Sequence, residues 1–354
     1  MSVHQPPPDP RQGKALCRDW TEAVGRVPIV RLSNVASIFA TRNCYLKLES
    51  CNPGGSIKEK NAVWLVNDAE CRGDLGPGGT IVEASSGNFG LALAMVGAVR
   101  GYQVIIVVDQ NATPTARRML RAHGAELFEI TPEMIAEHRT RHLARIAKAR
   151  ELSRTISGAW YPCQHYNPSN PRAHSDYTAE EIIQAFPDGL EALVVGTSTG
   201  GQLSGLGRRL LPRFPELKII AVDVKGSQIF TSEPGTYQMT GLGLSFRPPN
   251  LDYSSIHSGY IVPERLAYST CHAIARREGL LMGGSTGAIV AAGIHAAKCL
   301  PLSARICLIG PDGGDRYLQT LYDPKWLERN GFHLTGVSDL EDDIGRTLVP
   351  FRAL

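Results

Sequence analysis

Asn52-Pro53-Gly54-Gly55-Ser56-Ile57-Lys58-Glu59-Lys60 sets a lysine where an amine can do chemistry. Pro53, Gly54 and Gly55 dictate a sharp loop, and Lys58 falls in the first turn of a helix expected over 57–68. There the stem is held while the amine projects from the loop end, which suits a lysine that forms a Schiff base with an aldehyde. A Pro-Gly-Gly turn before a helix of surface lysines would show the same letters. The weight therefore falls on further small-residue loops, each set between a strand-like and a helix-like run.

Ser85-Ser86-Gly87-Asn88-Phe89-Gly90 is one of these. Amides at a helix N-terminus attract an anion, and the serine hydroxyls and the Asn88 carboxamide add directed donors, so a carboxylate is a natural guest. A plain N-cap is the other reading. Gly196-Thr197-Ser198-Thr199-Gly200-Gly201-Gln202 lacks the spacing and the lysine of a P-loop. Its backbone donors and the Ser198 and Thr199 hydroxyls can still cradle a monophosphate. The loop that begins Gly241-Leu242-Gly243 has no evident structural need for its small residues. Gly283-Gly284-Ser285-Thr286-Gly287 opens another helix, where Ser285 can cap it or bond a heteroatom.

An amine nucleophile, a phosphate cradle, a carboxylate clamp and one hydroxyl together fit pyridoxal phosphate and an amino-acid substrate. A pyridine nitrogen facing the Ser285 hydroxyl stays unprotonated, whereas an aspartate would protonate it. The unprotonated ring is the weaker electron sink, which favours β-elimination over transamination.

Elements must position these loops. Runs at 80–83, 104–108, 127–130, 192–195, 219–224 and 306–309 are strand-like. Helix-like runs at 89–100, 114–123, 133–153 and 203–212 alternate with them. That order predicts an α/β fold with parallel sheets covered by helices and ligands at the carboxyl ends of strands. The 133–153 run carries Arg139, Arg141, Arg145, Lys148 and Arg150. It is either a solvated face or holds an arginine aimed at an anionic substrate. Nucleic acid fits poorly, since no aromatics interleave with the charge.

The 354 residues carry a net charge of +3 and 43% hydrophobic content, enough for a sizeable core and no argument for an acidic partner. No apolar run reaches the eighteen residues that suggest a membrane span. Cysteines at 17, 44, 51, 71, 163, 271, 299 and 307 form no Cys-x-x-Cys pair, as expected of reduced thiols in a cytoplasmic protein. No metal site is expected. Residues 1–16 read as a disordered tail and 331–354 as a C-terminal tail. Between them lie a segment over 17–45, an N-terminal α/β domain over 46–160 and a C-terminal α/β domain over 161–330.

With these motifs in order, the chain resembles the β-replacing, fold-type-II pyridoxal-phosphate enzymes, the cysteine synthase and cystathionine β-synthase family. Asn52 to Lys58 is similar to the family's lysine motif, and Ser85 to Gly90 to its substrate loop. Gln164 with Asn167-Pro168-Ser169-Asn170 is similar to a further substrate segment, Ser198 to Gln202 to the phosphate loop, and Gly284 to Ala288 to the pyridine-nitrogen motif. The resemblance implies two three-layer αβα domains like those of tryptophan synthase β, with the 17–45 segment crossing to the C-terminal domain. It also implies a homodimer. Lys58, Asn88, Ser198, Thr199, Gly200, Gly201, Gln202 and Ser285 would bind the cofactor. Ser85, Ser86, Gly87, Asn88, Gln164 and Gly241 would bind substrate, reacting through an α-aminoacrylate.

Arg145-Ile146-Ala147-Lys148 and Pro311-Asp312-Gly313-Gly314-Asp315-Arg316-Tyr317 are also similar to the enzymes that join O-phospho-L-serine to L-glutamate on the way to 2,3-diaminopropionate, in siderophore or secondary-metabolite biosynthesis. On that likeness Arg145 binds the substrate phosphate. A sulfide-using cysteine synthase and a catalytically silent homologue are the alternatives. Glu59-Lys60, His165 and Gln202 depart from the family pattern, the last two close to the expected substrates.

Overall fold

The computed structural model describes residues 16–351 apart from 139, 234 and 349. The expected N-terminal tail therefore lies, but for Leu16, outside the described residues, as does Arg139. The strands are β1 (Ile29–Arg31), β2 (Asn43–Leu48), β3 (Thr80–Glu83), β4 (Gln103–Val108), β5 (Glu126–Glu129) and β6 (Ala159–Trp160), then β7 (Ala192–Gly196), β8 (Lys218–Val224), β9 (Ser258–Val262), β10 (Arg305–Gly310) and β11 (Pro350–Phe351).

Two sheets result. The smaller runs β5-β4-β3-β6 and is parallel throughout. The larger runs β1-β2-β10-β7-β8-β9-β11, parallel from β2 to β9 with antiparallel strands at both edges.

Strands apolar at every position are what a sheet covered on both faces requires. Because side chains alternate, Ile306 and Leu308 join one core with Val194, Ile220 and Val222, while Cys307 and Ile309 join another with Leu193, Val195 and Ile219. In the small sheet Ile81, Ile106 and Val108 face one core, and Val82 and Val107 the other. Each sheet is thus the middle of three layers.

Several expectations need correcting. The single helix expected over 133–153 is two, Pro132–His138 and Arg141–Thr155. Thr140 starts the second one, its hydroxyl accepting from Leu143 N at 3.3 Å. Residues 331–354 are no tail over the described part: the Leu340–Thr347 helix buries Leu340 and Ile344 in the large core, and β11 pairs with β9. The N-terminal segment supplies β1 and β2 to the large sheet and runs on to Leu48, past the expected boundary at 45. No helix among the described residues is long and apolar enough to cross a membrane.

Candidate functional site

A cavity of about 260 Å³ opens where the carboxyl ends of both sheets meet. Of the residues singled out in the sequence, Lys58, Ser85, Ser86, Gly87, Asn88, Arg145, Gln164, Ser198, Thr199 and Gly241 line it. Gly200, Gly201, Gln202 and Ser285 are not among its lining residues.

Lys58 is the first residue of the Lys58–Arg72 helix. The start is a buried capping box. Ser56 Oγ accepts from Lys58 N at 3.2 Å, and Glu59 accepts from Ser56 N and Ser56 Oγ, both at 2.9 Å. A β-carbon at Gly54 would meet Glu59 Oε1 at 2.6 Å, so the tight loop needs glycine there. Burial pulls the Lys58 amine down to about 8, against the opposing pull of Glu59 and Asp312. About a tenth of the amine is then neutral at pH 7, against fewer than about one part in a thousand for a free lysine.

Asn88 opens the Asn88–Arg100 helix beside it. Its Nδ2 donates to Asp312 Oδ2 at 2.7 Å, and its Oδ1 accepts from Arg316 Nη1. Tyr317 OH donates to the same Asp312 oxygen at 2.5 Å, and Arg316 Nη2 donates to Gly54 O at 2.6 Å. Arg316 and Tyr317 line the cavity. In the sequence only the likeness of their segment to a known family points to them. What signalled a site there was a polar run directly after a buried strand.

Arg145, also on the cavity lining, is 8% exposed, so it is no part of a solvated face. Its Nη1 donates to Ser86 Oγ at 3.1 Å, and its Nε lies 3.2 Å from Asp109 Oδ2. His142 and His165 line the cavity as well. Burial lowers them to about 4 and about 3, so both are neutral at pH 7. Behind them the buried Glu83 accepts from Ala84 N at 2.7 Å and Gln164 N at 3.2 Å, bracing two cavity loops, and burial raises it to about 7.

The Gly201–Leu210 helix starts at Gly200, whose φ of 80° is the left-handed conformation that glycine takes without strain. A β-carbon there would meet the Leu251 backbone at 2.7 Å, and one at Gly201 would meet Asn170 Oδ1 at 2.2 Å. Asn170 Nδ2 in turn donates to Gln164 O at 2.6 Å and to Thr199 Oγ1 at 3.3 Å. Thr197 Oγ1 and Gln202 Nε2 are buried at this helix start with no hydrogen-bond partner among the described residues. Buried polar atoms are almost always satisfied, so unpaired groups at a helix N-terminus suit a bound anion such as a phosphate. Ser285 is 2% exposed in the first turn of the Gly284–Lys298 helix, and a β-carbon at Gly241 would lie 3.5 Å from its Oγ. These residues fit pyridoxal phosphate: an amine on one side, an anion cradle on another and a hydroxyl between the loops.

Comparison with known proteins agrees. Residues 20–312 match the family described as "Pyridoxal-phosphate dependent enzyme". Cystathionine beta-synthase of Apis mellifera is 38% identical over 320 residues, 89% of this chain, which spans 63% of that protein's length. Cysteine synthase of Staphylococcus aureus is 36% identical, covering 85% of this chain and 95% of its own. N-(2-amino-2-carboxyethyl)-L-glutamate synthase of Ralstonia nicotianae is 34% identical, covering 89% and 92%. The crystal structure of O-ureido-L-serine synthase superposes with a TM-score of 0.81 at 36% identity, over 87% of this chain and 96% of that one.

Proposed function

Because this chain belongs to the pyridoxal-phosphate dependent enzyme family, we propose that it catalyses β-replacement on O-phospho-L-serine with the amine of L-glutamate. The β-carbon–oxygen bond breaks, a β-carbon–nitrogen bond forms, and phosphate leaves. The product is N-(2-amino-2-carboxyethyl)-L-glutamate, a precursor of 2,3-diaminopropionate. The observation that carries this reading is Arg145, a buried guanidinium on the cavity wall, bonded to the Ser86 hydroxyl. A guanidinium offers a planar fork of donors, which matches a phosphate.

Bound pyridoxal phosphate supplies an aldehyde that links to amines and a ring that draws electrons from the substrate α-carbon. Lys58 Nζ would hold it, Ser198, Thr199, Gly200, Gly201 and Gln202 would receive its phosphate, and Ser285 would offer its hydroxyl to the ring. Ser85, Ser86, Gly87, Asn88, Gln164 and Gly241 orient the substrate carboxylate. Lys58 Nζ, its pKa lowered by burial, would take the substrate α-proton and return it after the nucleophile adds. Assembly as a homodimer and a cytoplasmic location belong to the same proposal.

A second reading rests on Asp109. Its carboxylate already faces Arg145 at 3.2 Å and offsets that charge, which would suit an uncharged acetyl leaving group and sulfide as the nucleophile. The deciding experiment offers purified enzyme O-phosphoserine or O-acetylserine with glutamate or sulfide and reads product mass. A glutamate adduct with released phosphate is the expected outcome. Cysteine alone, from either donor, would move the protein to the second reading, and no product from any pair would leave a silent homologue.

A further inference from the structure

We infer that Asp312 and Arg316 are positioning residues that hold the Asn88 carboxamide in one orientation, with one N–H left to donate into the cavity. The argument starts from what each group can do. A carboxylate only accepts hydrogen bonds and a guanidinium only donates them, while a carboxamide does one at each end. Asn88 Nδ2 meets Asp312 Oδ2 at 2.7 Å and Asn88 Oδ1 meets Arg316 Nη1. Rotating the amide by half a turn would set its NH₂ against the guanidinium and its oxygen against the carboxylate. Both contacts would turn repulsive, so the chemistry of the neighbours fixes which atom is nitrogen. One of the two N–H bonds is taken by Asp312. The other remains for an oxygen of the bound cofactor.

The clamp is itself braced. Gly313 N donates to Gly55 O at 3.2 Å, Ile57 N to Pro311 O at 2.8 Å, and Gly283 N to Asp312 O at 3.2 Å. The segment after β10 thereby ties together the Lys58 loop, the Asn88 helix and the start of the Ser285 helix. Two glycines are explained by it. A β-carbon at Gly283 would meet Asp312 Oδ1 at 2.0 Å, and one at Gly55 would meet Arg316 Nη2 at 2.9 Å. Arg316 reaches Asn88 and the Gly54 carbonyl together, so it sets the amide and the lysine loop at a fixed spacing.

The inference rests on the reading that Asn88 faces the cofactor, and the test separates the two. Apoenzyme is reconstituted with pyridoxal phosphate, and the dissociation constant and the visible absorption maximum are read for five proteins. These are the wild type, Asn88→Ala, Arg316→Leu, Arg316→Lys and the Asn88→Ala/Arg316→Leu double variant, with circular dichroism as the check on folding. Losing one well-placed hydrogen bond weakens binding by about three- to tenfold. Asn88→Ala is expected to show that loss with a shifted maximum, and Arg316→Leu to show a smaller change in the same direction. Arg316→Lys, which keeps a donor, recovers a large part of it. In the Asn88→Ala background Arg316→Leu costs clearly less than in the wild type, because only its contact with the Gly54 carbonyl is left to lose. An Arg316→Leu effect of equal size in both backgrounds would overturn the clamp, as would no effect in the wild-type background. A silent Asn88→Ala would overturn the cofactor-facing reading and the clamp with it. If Arg316→Leu does not fold, Arg316→Lys and Asp312→Asn are put through the same cycle.

Discussion

Arg145→Ala is expected to separate two donor substrates that differ in charge. The side chain is buried on the cavity wall, with Nη1 on Ser86 Oγ and Nε facing Asp109. A contact between a partly buried guanidinium and a phosphate dianion is worth about 2–4 kcal/mol. At about 1.4 kcal/mol per decade, its loss lowers kcat/KM for O-phosphoserine roughly thirty- to a thousandfold. O-acetylserine carries no charge at that position and should fall by less than about threefold. Removing Arg145 alone also strands the buried Asp109, whose Oδ1 keeps the Asn111 amide at 2.8 Å while Oδ2 loses its partner. Arg145→Ala is therefore paired with Asp109→Asn/Arg145→Ala, which removes the stranded charge. The assay is the rate of phosphate or acetate release under subsaturating donor. Equal losses for both donors would mark a damaged fold, and an unchanged rate with O-phosphoserine would refute the role given to Arg145.

Other outcomes follow from the same geometry. Lys58→Ala should lose the borohydride-reducible link to the cofactor; a link that survives through another lysine would refute the assignment. Lys60 is buried against Glu49 and Glu181, both at 2.8 Å, in a cluster that Lys47 completes. Lys60→Met leaves an uncompensated carboxylate there and should cost about 3–5 kcal/mol in urea unfolding, while a loss below about 1 kcal/mol would show that the cluster is hydrated. Burial raises Glu83 from its ordinary 4.5 to about 7, so the folded protein keeps a proton that the unfolded chain releases. That contribution is whole below pH 4.5 and is lost as pH rises to 7, at up to about 1.4 kcal/mol per pH unit. Stability of Glu83→Gln should fall less steeply than wild type over that window, and parallel curves would place the proton elsewhere.

Much of this was legible from local signals. Thr80–Val82 is three β-formers in a row, followed after Glu83 by a small-residue loop and an apolar helix, and the strand runs over Thr80–Glu83. The Lys58 helix is legible from its Pro-Gly-Gly turn, and the Ser56-x-x-Glu59 pattern carries the same start signal. What could not be read depends on distant partners. Glu49, Lys47 and Lys60 look like surface charges, and only the fold brings Glu181 from far along the chain to bury them. Glu83 ends a strand and could have pointed to water, but Gln164 arrives to donate to it. The break at Thr140 was hidden because the helical pattern resumes almost at once, while the threonine hydroxyl quietly caps the next helix.

The place of β10 has a consequence for how the protein is made. Residues 305–310 pair with β2 on one side and β7 on the other, in the middle of the large sheet. The small sheet, by contrast, is drawn entirely from residues 80–160. During synthesis that sheet can close while the chain that follows it is still in the ribosome. β2 has to wait with one edge of backbone donors and acceptors unpaired until β10 has emerged. Such long-range parallel pairing is slow and leaves an exposed edge in the interval. Expression at reduced temperature or with chaperones should therefore raise the yield of folded protein more than any substitution in the small sheet, whose strands are already paired by then.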